Sequence, residues 1–410
     1  MNKLSVCLIV KDEEPVLGRC LTCAAQFADE LIVVDTGSSD RTVEIALEYT
    51  PYVYNHPWQH SFSEARNYSY AKASGDYIMW LDADDIISED GVAGLLALKD
   101  EIKDEDVIFT SYMCFSESGI TNCILRDRII KRTVFTEWKY DIHEAILIEP
   151  QWKRCYRPDI EIVHKKEHIN EPQRNLTIFR KLLETEKPLE LFEKVNLIKE
   201  YSLNRNTNEA LKLFHEIQPE LTAEGNNYSY VLVFLMQGLM KAKRWEECFS
   251  VVEEAEMYIP HTAMMKYAKG RCMEELGDAE KAEMFYHEAM YIKEDPLSLN
   301  ILYTGYDNYY PYIRLAYMAK KQGNLYEALK LLKCAENNYP KDIEWQKMRL
   351  RILLNIEDIR NKENTNSKID EKEMKPDEIK KKIISINNKL STLSEEELHE
   401  VIIWLDSHSK

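Results

Sequence analysis

Short apolar runs alternate with amphipathic segments through the first hundred residues. The runs LSVCLIV (4–10), ELIVVD (30–35), YVYNHPW (52–58) and YIMWL (77–81) read as strands, and the segments between them have the periodicity of helices. Strands that are joined by helical crossovers predict a parallel α/β sheet. In such sheets ligands bind beyond the carboxyl ends of the strands.

The hydrophobic pattern changes class further along the chain. Residues 106–165 contain four more candidate strands, and helical periodicity holds from about residue 171 onward. We therefore predict an α/β domain followed by an all-α domain. The predicted boundaries are an α/β domain over 1–168, a helical domain over 169–360, a polar linker over 361–375 and a small helical tail over 376–410.

The helical part contains internal repeats. Small and aromatic residues recur with a period of 34 residues from Ala255 to Ala289, as in tetratricopeptide repeats, and a further copy centres on Ala335. The alternative is a helical bundle without repeats. The Tyr-rich stretch YTGYDNYYPYI (303–313) predicts either a peptide-binding loop or inward packing.

Net charge and hydropathy limit the classes of partner that the chain can bind. The net charge of −18 argues against nucleic acid, because phosphate binding needs a basic surface. No apolar run is long enough to span a bilayer, and the N-terminus lacks the pattern of a signal peptide. We expect a cytoplasmic protein without a membrane span.

Three carboxylates follow the strand YIMWL directly. Asp82, Asp84 and Asp85 stand at its end, and Asp35 stands at the end of another strand. Two carboxylates one residue apart can hold Mn²⁺ or Mg²⁺, which neutralises a diphosphate leaving group. Helix capping is the alternative use of such acids.

The first 165 residues resemble the family 2 glycosyltransferases, which have the GT-A fold. The resemblance rests on VCLIVKDEE, ADELIVVDTGSSDRTVEIA and FSEARNYSYAKASGDYIMWLDADD, in that order and spacing. It implies a UDP-sugar donor. The implied nucleotide-sugar-binding residues are Val10, Glu14, Asp35, Arg66, Asp82 and Ala83, and the implied metal ligands are Asp84, Asp82 and His164.

An α/β domain of this type followed by tetratricopeptide helices is similar to the bacterial peptide S-glycosyltransferases that modify glycocins, the sublancin type, and to flagellin O-glycosyltransferases. This resemblance implies transfer of glucose or N-acetylglucosamine to a Cys, Ser or Thr of a peptide or protein, and a homodimer. It places His143 and Glu144 in the acceptor region.

Inverting transfer needs a base beside the acceptor. Glu144 is the first candidate and Asp141 the second, while His143 could orient the acceptor or the base. A surface strand-end acid is the alternative for Glu144. At the level of the whole chain, the alternatives are an enzyme that builds a cell-surface glycan and a non-catalytic repeat scaffold.

Overall fold

The computed structural model describes residues 2–115, 121–165, 173–185, 187–222, 225–292, 302–303 and 305–338. The chain forms two compact units, of which the first extends to Ala242 and the second begins at Lys243. The predicted boundary at residue 168 lies outside the described residues, as do the predicted linker and tail, so these remain predictions. The strands are β1 (Leu4–Val10), β2 (Glu30–Asp35), β3 (Val53–Asn55), β4 (Tyr77–Trp80), β5 (Asp85–Ile87), β6 (Val107–Phe115), β7 (Thr121–Lys131), β8 (Trp138–Lys139), β9 (Ala145–Ile146), β10 (Arg154–His164) and β11 (Leu302–Tyr303).

A mixed sheet forms the centre of the first unit. Its strands run in the order β3-β2-β1-β4-β7-β6-β10-β5. The first four of these are parallel, as the sequence predicts. Beyond β4 the sheet is mixed, because β7 is antiparallel to both β4 and β6 and β5 is antiparallel to β10. The carboxyl ends of β1, β2 and β4 therefore meet at one edge.

Helices cover both faces of this sheet, which explains why its central strands are apolar almost throughout. In β1, alternate side chains enter two different cores: Val6 and Leu8 pack on one face and Cys7 on the other. Burial on both faces is typical of parallel sheets. The helices that follow or precede these strands are α1 (Leu17–Ala24), α2 (Thr42–Tyr49), α3 (Phe62–Tyr70) and α4 (Glu89–Glu101).

Helices also complete the first unit after the sheet. One of them, α6, has a capping box in which the side chains of Glu190 and Glu193 each accept from the other's backbone N–H. Its buried face includes the acid Glu200, which needs a partner there. These helices are α5 (Arg174–Leu183), α6 (Leu191–Leu203), α7 (Thr207–Leu221) and α8 (Gly225–Lys241).

The second unit consists of helices whose turns and contacts follow the repeat pattern. Gly277 has φ 92° and ends one helix of a hairpin. A Cβ on Gly270 would lie 2.7 Å from the ring of Tyr286, so the two helices approach as closely as a glycine allows. The helices are α9 (Trp245–Ala255), α10 (Ala263–Leu276), α11 (Ala279–Tyr291), α12 (Tyr310–Lys321) and α13 (Leu325–Asn338).

The described part of the Tyr-rich stretch packs inward. Tyr309 is 1% exposed, and the rings of Tyr306 and Tyr310 lie 5.2 and 5.8 Å from that of Tyr267 in α10. These tyrosines serve the core of the second unit, which decides between the two alternatives in favour of packing.

Candidate active site at the carboxyl edge of the sheet

The loop after β2 fixes Asp35 at the sheet edge. Its carboxylate accepts hydrogen bonds from the backbone N–H groups of Gly37 and Ser38 at 3.1 Å. The neighbouring β1 ends in register with it at Val10, whose carbonyl accepts from the N–H of Thr36. Asp35 is therefore held by the backbone of its own turn, 6% exposed, at the position that the sequence predicts.

Glu14 and Ala83 are placed differently from each other. Glu14 lies on the loop after β1, where its carboxylate accepts from the N–H of Arg41 and is 40% exposed. Ala83 is 4% exposed and its methyl group packs in the hydrophobic core with Leu81. Of the two, only Glu14 presents a polar side chain at the edge.

Arg66 joins two of the predicted carboxylates. Helix α3 places its guanidinium so that Nε donates to Glu144 Oε1 at 2.6 Å and Nη2 donates to Asp82 Oδ1 at 2.9 Å. The guanidinium also lies over the rings of Trp80 and Trp138. We call Arg66, Asp82 and Glu144 the Arg66 group.

Charge pairing outweighs burial in the Arg66 group. Burial alone would lower the pKa of Arg66, but the charges of Glu144 and Asp82 raise it. Burial would likewise raise the pKa of Asp82, but Arg66 holds it below its usual range. Arg66 and Asp82 are therefore both ionised at neutral pH, and the guanidinium pairs with both carboxylates of the group.

A second cluster lies beside it on β5 and β10. His164 Nδ1 is 3.3 Å from Asp84 Oδ1 and 3.6 Å from Asp85 Oδ1. Ligand atoms of these three residues all lie within 4.8 Å of one another. We call Asp84, Asp85 and His164 the Asp85 group. It contains two of the three predicted metal ligands, Asp84 and His164, together with Asp85 in place of Asp82.

The Asp85 group is incompletely hydrogen-bonded. Asp85 Oδ1 and His164 Nδ1 are buried and have no hydrogen-bond partner among the described residues, since their separations lack hydrogen-bond geometry. The nearby carboxylates raise the pKa of His164 to about 10, against the effect of burial. Two carboxylates and an imidazole are ligands that suit Mn²⁺ or Mg²⁺, so the residues fit a divalent cation.

Arg128 holds the other oxygen of Asp85. It is fully buried, its Nη1 lies 3.0 Å from Asp85 Oδ2, and its guanidinium stacks 3.6 Å above the ring of Trp80 and 4.3 Å from that of Tyr112. The backbone N–H of Asp82 donates to the same Oδ2 at 3.0 Å. Asp85 does not cap α4, which begins after Ser88 with the Ser88 hydroxyl as the cap.

The charges at this edge favour a dication. The Arg66 and Asp85 groups contain four carboxylates, and the two guanidiniums of Arg66 and Arg128 offset two of these charges. A histidine that binds a cation is neutral, so once a cation displaces the proton of His164, four minus two leaves two negative charges. One divalent cation would balance them.

The segment before β9 brings the predicted acceptor residues to the same region. His143 has φ 56°, and its Nε2 lies 2.8 Å from Glu200 Oε1 in α6. Asn175 in α5 donates to the same oxygen at 2.9 Å. Burial lowers the pKa of His143. His143 therefore anchors the backbone next to Glu144 onto the helices that follow the sheet.

A cleft of about 850 Å³ opens on the other side of α3. Asp141 lines it, whereas Arg66 is buried and is not among its lining residues. Most of its charged side chains are acidic. Its lining includes Ser61, Ser63, Glu64, Asn67, Tyr68, Glu137, Trp138, Lys139, Tyr140, Leu182, Thr185, Lys187, Pro188, Leu189, Glu190 and Glu193.

Sequence reasoning missed two residues that organise this edge, Arg128 and Glu200. Arg128 had a signal: it directly precedes the apolar pair Ile129 and Ile130 in a strand, and a buried charge needs a partner. Glu200 had none, since its partner His143 is 57 residues away in the sequence.

Comparison with known proteins covers the same part of the chain. Residues 5–165 match the model of glycosyl transferase family 2. A TPR repeat-containing protein of Synechococcus elongatus is 33% identical over 172 residues, which are 40% of this chain and 42% of that protein. An uncharacterized glycosyltransferase of Rickettsia prowazekii is 31% identical over 112 residues, 27% of this chain and 35% of that protein. The chain thus spans less than half of these curated relatives.

Among solved structures, glucosyl-3-phosphoglycerate synthase from Mycobacterium tuberculosis, crystallised with Mn²⁺ and UDP-glucose, is 25% identical over 27% of this chain and 44% of that one, with a TM-score of 0.24.

The predicted fold class is confirmed by the strand order and the family match: an α/β domain of the GT-A glycosyltransferase type, then an all-α region. No helix of the described residues is long and apolar enough to cross a membrane.

Proposed function

We propose that the chain is a metal-dependent inverting glycosyltransferase that moves a hexose, glucose or N-acetylglucosamine, from a UDP-sugar to a Cys, Ser or Thr side chain of a peptide or protein. The carrying observation is that the Arg66 group and the Asp85 group lie side by side at one edge of the sheet. The family 2 match over residues 5–165 includes every member of both groups.

The donor would lie along the carboxyl ends of β1, β2 and β4. Asp35, fixed by its turn, and Arg66 are available for the nucleoside, and Asp82 for the ribose. Because Asp82 is already paired with Arg66, its carboxylate has a fixed orientation before the donor arrives. Preorganised polar groups of this kind cost no rearrangement when the substrate binds.

A divalent cation held by the Asp85 group would neutralise the diphosphate as it leaves. The chain's own residues do the rest. Glu144 takes the proton from the acceptor hydroxyl or thiol, and the acceptor oxygen or sulfur forms a bond to the anomeric carbon. The bond from that carbon to the diphosphate oxygen breaks, and UDP leaves with the electron pair.

The environment of Glu144 supports its role as base. Its Oε1 is paired with Arg66 at 2.6 Å, which fixes the orientation of the carboxylate. The same guanidinium connects it to Asp82 on the donor side. Asp141 is the second candidate, and it lines the cleft instead.

A polypeptide acceptor is supported by the size of that cleft and by the helical hairpins of the second unit, an architecture that commonly binds peptides. We also propose that the chain forms a homodimer, as the resemblance to the peptide glycosyltransferases implies.

The test is release of UDP from UDP-glucose and UDP-N-acetylglucosamine, with Mn²⁺, with Mg²⁺ and after chelation, in the presence of Cys- and Ser-containing peptides. We expect metal-dependent release and an increase of one hexose in peptide mass. Transfer to a glycan primer but not to peptides would favour the cell-surface glycan alternative. No release under any condition would favour the non-catalytic scaffold.

A further inference from the structure

Asp82 and Asp85 are the two candidates for the third metal ligand beside Asp84 and His164, and their surroundings differ. The carboxylate of Asp82 is paired with Arg66 at 2.9 Å. Asp85 is 1% exposed, and its Oδ1 has no hydrogen-bond partner among the described residues although it faces His164 Nδ1 at 3.6 Å. An unpaired buried carboxylate oxygen is costly and calls for an explanation.

We propose that Asp85, and not Asp82, completes the cation site with Asp84 and His164, and that Arg128 is the positioning residue that turns Asp85 Oδ1 toward the cation. This inference rests on the proposed function for the presence of a cation, but it assigns the ligand independently of any sugar or acceptor.

Arg128 is built to fix one orientation of Asp85. Its guanidinium lies between the rings of Trp80 and Tyr112, and Nη1 donates both to the carbonyl of Trp80 at 3.2 Å and to Asp85 Oδ2 at 3.0 Å. The N–H of Asp82 also donates to Oδ2. With Oδ2 holding two donors, Oδ1 is the oxygen left for a ligand bond.

The two aspartates therefore have separate tasks. Asp82 belongs to the network that orients the donor, and its backbone N–H donates to Asp85 Oδ2. Asp85 follows Asp84 directly at the start of β5, and its pairing with His164 in the register of β5 and β10 brings both ligands to one point.

The test is a Mn²⁺ titration of the nucleotide-free full chain, with free Mn²⁺ measured by electron paramagnetic resonance. The matched pair is Asp85→Asn and Asp82→Asn, since both remove one carboxylate charge within the same few ångströms and keep the shape. We expect the dissociation constant to rise by about 10–100-fold or more in Asp85→Asn. In Asp82→Asn it should rise by less than about 3-fold, the effect of a lost nearby charge.

Arg128→Lys tests the positioning. Lysine keeps the charge but loses the planar stacking and the forked donor geometry. We expect Mn²⁺ binding to weaken about 5–10-fold, with the melting temperature of the metal-free chain monitored to separate a general loss of structure. If Asp85→Asn unfolds the chain, Arg128→Lys and Asp82→Asn still decide the assignment.

Each remaining outcome has a meaning. Equal weakening in both aspartate variants, or a larger loss in Asp82→Asn, overturns the ligand assignment while leaving the proposed function intact. Unchanged binding in Arg128→Lys removes Arg128 from the site. If the unsubstituted chain does not bind Mn²⁺ at all, the assignment falls together with the metal dependence of the proposed function.

Discussion

The Arg66 group and the Asp85 group contain similar side chains but differ in how their carboxylate oxygens are hydrogen-bonded. In the Arg66 group each carboxylate has a guanidinium partner within 2.9 Å. In the Asp85 group, Asp85 Oδ1 and His164 Nδ1 face each other without a hydrogen bond. The first group is complete as it stands, whereas the second has the donor atoms of a cation site. Asp85 also pairs with Arg128 through Oδ2, so the feature that distinguishes a ligand from an orienting acid is its buried oxygen without a donor, and not proximity to the Asp-x-Asp pattern.

The largest effect on turnover is expected from a substitution in the Asp85 group. Asp84→Asn should reduce turnover at saturating UDP-sugar by at least about 1,000-fold, because a metal ion contributes several kcal/mol to stabilising the leaving diphosphate. UDP release with added Mn²⁺ measures it. The control is Asp104→Asn, an exposed acid paired with Lys153, which should retain full activity. Full activity in Asp84→Asn would show that the Asp85 group holds no catalytic cation.

Glu144→Gln tests the chemical role of the Arg66 group. We expect kcat to fall by about 10²–10⁴-fold with a hydroxyl acceptor, because the amide cannot take the proton, while the KM for the donor changes little. The loss should be smaller with a thiol acceptor, since a thiol ionises more easily. Steady-state kinetics with matched Ser and Cys peptides measures both. Glu149→Gln, an exposed acid five positions away, is the control.

If Asp141→Asn reproduced the loss and Glu144→Gln did not, the cleft side of α3 would contain the base. The Arg66 group would then serve donor binding alone.

Arg66→Met tests whether the ion pairs of the Arg66 group stabilise the fold. Removing the guanidinium leaves Glu144, 14% exposed, and Asp82, 32% exposed, without a partner, so we expect a loss of about 2–3 kcal/mol in the free energy of unfolding, less than for a fully buried pair. Urea unfolding of the metal-free chain measures it. Arg41→Met removes an exposed arginine of the same type and should change stability little. A loss no larger than that of the control would show that the pairing does not matter for stability.

The smallest effect is expected from pH, through the pair that anchors the Arg66 group to α6. The pKa of His143 is lowered by burial, so the unfolded chain takes up its proton first as the pH falls below about 6.5. The pKa of Glu200 is also lowered, because its bonds to His143 and Asn175 outweigh burial, and its contribution is lost below about 4.5. Both effects reduce stability on acidification.

His164, whose pKa is raised, contributes equally to both chains, so we expect the free energy of unfolding of the unsubstituted chain to fall more steeply below about pH 6.5 than that of His143→Ala. Urea unfolding at four pH values is sufficient. An unchanged slope in the variant would mean that other groups determine the acid limit.

The strands that carry the site could be predicted because their apolar runs are unbroken. β1, β2 and β4 are continuous in the sequence pattern, and their parallel pairing follows from the helices between them. β5 could not be predicted, because it has three residues, begins with a charged one, and is defined by a partner 77 residues later. Local pattern does not determine long-range antiparallel pairing.

The candidate site divides in the same way. Asp84 and His164 lie together as expected, but the sequence could not assign Asp85, because its environment depends on Arg128 from β7 and His164 from β10. Both Asp82 and Asp85 have a guanidinium partner, and they differ in that Asp85 Oδ1 is buried and left without a donor. That information is absent from the spacing of the residues.

The hydrogen bonds between His143, Glu200 and Asn175 have a practical consequence for how this chain could be divided into fragments. A fragment that ends at residue 165 would contain the whole segment matched by the family model, with Glu144 and both groups of acids. It would lack the two side chains that hold the turn before Glu144 in its φ-positive conformation. The smallest fragment that keeps the proposed activity should therefore extend through α6, beyond the segment that the family model matches.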